Sequence, residues 1–296
     1  MNILHRLLVC ALAPLALLAC TPQDTDTVQA VAEATQPSPN FILIITDDQG
    51  WTSVSYPADP DNPDSASDYI ETPAMATLAS EGMRFTQGYT PNPICAPARH
   101  SILFGQNAAR HIYNRDETWI DRAPDWLTLP KALKAADPEY RTGHFGKWHV
   151  GLHPEAAGFD FTDGLTDNHE GDARAGALFA EINFMDQDVM DAWNEANGMD
   201  TTLVNPEGRD RSVTFYTDDD PKTAFSMTAR ASAFIREAVA DGKPFYAHIA
   251  HYAIHTAMAA REDTWARFRA KAPGVKHDDP AFAAMTFDMD ASIGQV

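Results

Sequence analysis

Asn40-Phe41-Ile42-Leu43-Ile44-Ile45-Thr46, running straight into Asp47-Asp48, is the stretch on which the fold reading turns. An unbroken aromatic and aliphatic run without polar alternation is the pattern of a strand buried on both faces. Such a strand needs helices above and below its sheet, and the sequence that follows supplies them. Thr72-Pro73 opens a helix with a capping residue and a first-turn proline, and Gly82 closes it. Met83 to Tyr89 reads as a second strand, residues 97–105 and Leu129 to Ala136 as helices, and Tyr140 to Phe145 as a further strand. Thr223 to Ala240 is an amphipathic helix with Phe225, Thr228, Ser232, Ile235 and Val239 near helical spacing, stopped by Gly242-Lys243-Pro244. Phe245 to Tyr252 is then a strand, and residues 262–271 and 281–296 are helical. This alternation predicts an α/β fold, a mixed, largely parallel sheet sandwiched by helices. Residues 150–222 are rich in Gly, Asp and Asn and read as loops over the carboxyl edge of the sheet, where specificity is decided.

The composition is that of a packed globular protein, with 44% hydrophobic and 22% charged residues. Its 42 acidic against 22 basic residues, a net charge of -20, exclude the broad basic face that coating nucleic acid requires. Residues 1–19 carry Arg6 and then an apolar run from Leu7 to Ala19 broken only by Pro14, too short to span a bilayer, and read as a signal peptide. The run ends Leu17-Leu18-Ala19-Cys20, which resembles the bacterial lipoprotein box, with Cys20 as the lipidated residue; an ordinary signal cut nearby is the alternative. The expected location is therefore exported, on the periplasmic side, attached to a membrane only through a lipid anchor at Cys20. Residues 20–39 read as a flexible tether and residues 40–296 as the folded domain. Loss of Cys10 with the signal and lipidation of Cys20 leave Cys95 alone, in a compartment that oxidises thiols, with no intramolecular disulfide open to it.

Ligands of open α/β sheets bind beyond the carboxyl ends of the strands. The chemically interesting residues fall there: Asp47-Asp48 after the first strand, Lys147 and His149 after a middle one, His255 after the last. Two adjacent carboxylates repel unless a hard cation takes them, calcium or magnesium; the alternative is a solvated loop, as at Asp278-Asp279. Cys95 precedes a helix with Arg99 one turn on, and both would stabilise an anionic group at position 95; the alternative is a structural cysteine. Lys147 and His149 lie two apart, on one side of an extended segment. That pairing reads as anion binding and acid-base work. His251 and His255 stand at helical spacing, but no third partner has zinc-site spacing.

Together these motifs resemble the formylglycine-dependent sulfatases of the alkaline phosphatase superfamily. Phe41 to Trp51 (FILIITDDQGW) is similar to the family's first strand and metal pair, and Cys95-Ala96-Pro97-Ala98-Arg99 to its Cys-x-Pro-x-Arg core. Gly143-His144-Phe145-Gly146-Lys147-Trp148-His149-Val150-Gly151 resembles a second family motif. Pro244 through His255-Thr256 resembles the strand ending in Pro-His-Thr-Pro, with Ile254 and Ala257 in place of both prolines. The resemblance implies that a maturation enzyme oxidises Cys95 to formylglycine, whose hydrate attacks an organic sulfate ester of aryl or carbohydrate type. It implies that Asp47, Asp48 and the modified Cys95 ligate calcium, with magnesium the lesser candidate. Arg99 would hold the aldehyde hydrate, Lys147 and His255 would contact the sulfate and assist the leaving group, and His149 would orient the nucleophile or help expel sulfate.

The sequence departs from the family in one respect. The remaining calcium ligands of the family lie in a Ser-Asp-(Asn/His)-Gly segment after a helix. The present sequence reaches a segment like that helix, with Asp290 to Gly294 resembling Asp-x-x-Ile-Gly, and goes no further. The expectation is an N-terminal catalytic portion, incomplete at the C-terminus, with weak calcium binding and weak or no activity by itself. A phosphate mono- or diesterase of the same superfamily and a non-catalytic anion-binding lipoprotein are the competing readings. The Asp172-Arg174 and Arg209-Arg211 neighbourhoods either contact a sulfated sugar or are plain surface.

Overall fold

The structure, a computed structural model, describes residues 37–110, 126–167, 171 and 215–296. The signal peptide, Cys20, the tether up to residue 36, and the Asp172-Arg174 and Arg209-Arg211 neighbourhoods lie outside the described residues. Pro37–Val296 forms one compact unit.

The strands are β1 (Phe41–Ile45), β2 (Arg141–Gly146), β3 (Phe161–Thr162), β4 (Phe215–Thr217), β5 (Phe245–Ala250) and β6 (Met258–Ala260). The main sheet has the order β1-β5-β2-β3, and β4 and β6 form a second pair. Among the described strands every ladder is parallel. The helices are α1 (Pro73–Glu81), α2 (Cys95–Phe104), α3 (Leu129–Ala136), α4 (Ala224–Ala240), α5 (Glu262–Ala270) and α6 (Pro280–Ile293). No helix among the described residues is long and apolar enough to cross a membrane.

Alternation along β5 divides the core. Phe245, Ala247 and Ile249 face α4, whose Met227, Ala231, Phe234 and Ala238 are buried against them with Phe145 of β2. Tyr246 faces the other way, into a cluster of Leu103 and Phe104 from α2, Trp148, Val150, Leu152 and Phe159, with Leu129 and Leu133 of α3 at its margin. The sheet is thus covered by helices on both sides, as expected. Register sets the ends level: Ala250 pairs with Ile45 of β1 and with Gly146 of β2, so the residues that follow all three strands emerge side by side.

Four expectations are corrected. Among the described strands β1 lies at the edge, with Phe41 and Ile42 exposed, because β5 alone of these pairs with it. Met83 to Tyr89 forms no strand, since no neighbouring strand offers it a ladder, and Met83, Phe85 and Tyr89 stay exposed. The apolar face of α4 is set by small residues that let it approach the sheet: Ala231 and Ala238 are buried, whereas Val239 is exposed. Thr72 does not cap α1 with its own side chain. Its hydroxyl bonds Ser55, and the buried Asp290 of α6 accepts the Ala74 and Met75 amides at 2.8 Å each. At the start of the unit, Ser38 and Pro39 are bonded to Asp137 and Tyr140. The first part of the stretch read as open loop, residues 150–167, is packed and carries β3.

Candidate active site

β1 delivers Asp47 and Asp48. The Asp47 amide donates to Ala253 O at 2.9 Å and its carbonyl accepts from the Ile254 amide at 2.6 Å, so the chain after β5 fixes the backbone here. The Asp47 side chain is buried and doubly paired, with Arg99 Nη2 at 3.3 Å from Oδ1 and Lys147 Nζ on Oδ2. Lys147 is 1% exposed and Arg99 5%, and ions so placed persist only when paired. Asp48, by contrast, is exposed, at a left-handed φ of 59°, with no bonded partner among the described residues.

Cys95 is the first residue of α2, so the free amides of the first turn lie at its position. Arg99, one turn on, donates from Nη1 to Lys147 O at 2.7 Å and ties α2 to the end of β2. Its Nε has no partner among the described residues. Beyond β2 the chain turns through Gly146 at φ 90°, where a Cβ would lie 2.2 Å from Ala250 O and 2.3 Å from Met227 Sδ. Only glycine fits there. His149 then takes a left-handed φ of 52°, which aims Nδ1 at Cys95 Sγ, 3.4 Å away. Burial and then the charges of Lys147 and Arg99 hold the His149 imidazole below its ordinary pKa, so it is neutral at neutral pH and able to accept a proton.

The structure therefore brings Asp47, Cys95, Arg99, Lys147 and His149 together. Asp47, Asp48, Gln49, Asn92, Cys95 and Arg99 line one cavity of about 200 Å³. His255 is half-buried on the turn after β5, its Nδ1 against Thr256 O at 2.7 Å, and bonds none of the other site residues. The sequence reading missed Asp163 and Thr166, which hold the Gly146–His149 turn. Their signal is the cluster of Asp, Thr and Gly in Thr162-Asp163-Gly164-Leu165-Thr166, residues that bond backbone groups through short side chains.

Position 95 suits a hydrated aldehyde, with Sγ marking where its hydroxyl oxygens would stand, beside an imidazole and a helix start. Calcium is a poorer fit. It takes six to eight oxygens. Two carboxylates reach the cavity, and Asp47 is committed to Arg99 and Lys147. No group of three or more His, Cys, Asp or Glu side chains comes together for a metal among the described residues. These residues do not by themselves make a calcium site.

A half-buried cysteine at a helix start, beside a buried arginine and lysine and a half-buried imidazole at the carboxyl edge of a parallel sheet, gives this α/β protein a cationic centre compatible with an oxyanion. The Sulfatase family model matches residues 39–296, and the chain belongs to the sulfatase family. Human arylsulfatase G is similar, at 26% identity over 276 residues, covering 87% of this chain and 47% of that protein. Mouse N-acetylgalactosamine-6-sulfatase is 34% identical over 155 residues, 47% of this chain and 28% of that protein. Among solved structures, Ps i-CgsB superposes with a TM-score of 0.58 at 23% identity, over 87% of this chain and 53% of that one. PsFucS1 sulfatase from Pseudoalteromonas sp. gives 0.54 at 20% identity, over 86% and 50%. These likenesses establish the fold. The chain spans about half the length, or less, of the curated relatives it matches.

Proposed function

We propose that this chain is the sulfate-handling portion of an organic sulfate ester hydrolase whose nucleophile is made from Cys95. The observation that carries the reading is the bonded cluster of Cys95, Arg99, Lys147 and His149, with Cys95 and Arg99 lining a cavity. A formylglycine at position 95 would supply a geminal diol, one hydroxyl to attack sulfur and a second whose loss of a proton lets sulfate leave. Arg99 and Lys147 place fixed positive charge beside it, where burial makes each charge count for more than in water. The unpaired Arg99 Nε leaves one guanidinium donor for a bound oxyanion. His149, neutral and 3.4 Å from residue 95, is the base that takes a proton from it. His255, on the adjoining turn, is the candidate donor to the departing alcohol. Relatives named arylsulfatase and N-acetylgalactosamine-6-sulfatase support aryl or carbohydrate sulfates as the substrate class. Calcium enters this account only with oxygen ligands from outside the described residues.

The phosphatase and non-catalytic readings are separated by one assay. The chain is co-produced with a formylglycine-generating enzyme and given a fluorogenic aryl sulfate and the matching aryl phosphate, with Cys95→Ala as the blank. Conversion of Cys95 with sulfate turnover above the blank, however slow, supports the proposal; phosphate turnover faster than sulfate turnover, or a thiol left unconverted at position 95, sinks it. We propose further that residues 1–20 direct export and lipid attachment at Cys20. Radiolabelled palmitate on the wild-type chain but not on Cys20→Ser is the expected result, and label on neither would refute the anchor.

A further inference from the structure

The turn bearing Lys147 and His149 is bonded from end to end. The Gly146 amide donates to Asp163 Oδ2 at 2.8 Å and the Lys147 amide to Ala250 O at 2.8 Å. The Trp148 amide donates to Thr166 Oγ1 at 2.9 Å, and the Thr166 hydroxyl donates to Gly146 O at 2.6 Å. The His149 amide donates to Thr166 O at 2.8 Å. Arg230 of α4 in turn grips Asp163 with two bonds, Nε to Oδ1 at 3.1 Å and Nη2 to Oδ2 at 2.7 Å. Asp163 and Thr166 make no hydrogen bond to Cys95, so whatever they do for the site they do through the turn. A left-handed non-glycine residue such as His149 persists only where its surroundings over-determine it, and Thr166 accepts both the Trp148 and the His149 amide.

We propose that Thr166 is a positioning residue. Its hydroxyl staples Gly146 O to the Trp148 amide, its carbonyl holds His149, and together they deliver the imidazole to residue 95 while Asp163 and Arg230 secure the other end of the turn. Thr166→Val keeps the shape and the carbonyl but loses both hydroxyl bonds; Thr166→Ser keeps them. The readout is the rate at which the unconverted Cys95 thiol is alkylated by iodoacetamide at a fixed neutral pH, since a sulfur in contact with an imidazole nitrogen, here at 3.4 Å, can pass its proton to that ring as it attacks.

The expected result is that Thr166→Val slows alkylation about tenfold, toward the His149→Ala rate, while Thr166→Ser stays within about twofold of wild type. Thr166→Val reacting like wild type, Thr166→Ser as slow as Thr166→Val, or His149→Ala at the wild-type rate would each overturn the proposal. Should Thr166→Val not fold, hydrogen exchange in the wild-type chain decides: protection of the Trp148 and His149 amides equal to that of β2 is expected, and fast exchange contradicts it. On converted protein Thr166→Val is expected to lower kcat more than it changes KM. That arm rests on the sulfatase reading, and failure of Cys95 to convert would sink that reading while leaving the thiol result standing.

Discussion

Around residue 95 the molecule offers a cationic, buried wall of Arg99 and Lys147 and an acidic, open lip at Asp48. Arg99 and Lys147 are almost wholly enclosed, share Asp47, and are cross-linked through Lys147 O, with His149 held on the same turn. By contrast Asp48 is exposed and bonded to nothing among the described residues, and the bonds of His255 are local ones to Tyr252 O and Thr256 O. The difference follows from the sheet. The cationic wall grows from β2 and α2, packed on both sides, whereas the acidic lip follows β1, whose second edge carries no described strand. The fold therefore packs the cationic cluster firmly and leaves the Asp48 carboxylate open.

If the packed wall is as rigid as this, the largest effect belongs to Gly146→Ala. Its Cβ would meet Ala250 O at 2.2 Å and Met227 Sδ at 2.3 Å. A loss of about 4 kcal/mol or failure to fold is expected in urea denaturation, from the overlap and the positive φ together. Gly105→Ala, also at positive φ but with nothing within 4 Å, isolates the backbone part and should cost about 1 kcal/mol. Equal losses would mean that the wall yields.

Lys147→Met comes next. It leaves the buried Asp47 with Arg99 alone, and a loss of about 3 kcal/mol is expected, partly recovered by adding Asp47→Asn. No recovery in the double variant would show that the two residues are not coupled.

Acid should strike the same packed region. Burial lowers His144, on β2, and His251, just after β5, from 6.5 to about 4. Unfolded imidazoles then bind protons that folded ones refuse. Stability is complete above pH 6.5 and declines as pH falls toward 4, by roughly 2 kcal/mol per histidine at pH 5. A denaturation midpoint unchanged between pH 7.5 and 5 would contradict this burial. Smallest of all is Asp48→Asn on the open lip, expected to move stability by no more than about 0.5 kcal/mol. A larger loss would reveal a partner for that carboxylate.

What the sequence disclosed was whatever local chemistry could announce. Leu129–Ala136 was legible because Thr128 caps it and Pro130 sits in its first turn. Asp47, Lys147 and His149 were legible as neighbours because parallel strands end at one edge, and Cys95 and Arg99 joined them through the resemblance of their motif. Met83 to Tyr89 misled because apolar, β-prone residues do not make a strand without a neighbour to bond. The roles of Thr166 and of Asp290 stayed hidden because each acts on backbone amides distant in sequence or on the far side of a turn, which side-chain patterning does not report. The ion pairs of Asp47 were hidden for a related reason. An Asp-Asp pair reads as a metal site, and nothing in the sequence says that two cations from β2 and α2 reach one carboxylate first.

The central claim, that position 95 is where sulfate chemistry happens, meets its most direct test in mass spectrometry of the Cys95 peptide after co-production with a formylglycine-generating enzyme. The account predicts an aldehyde in place of the thiol, trapped by a hydrazide probe and absent from Cys95→Ala. An unmodified thiol throughout, from a host shown to convert a control sulfatase, would contradict it.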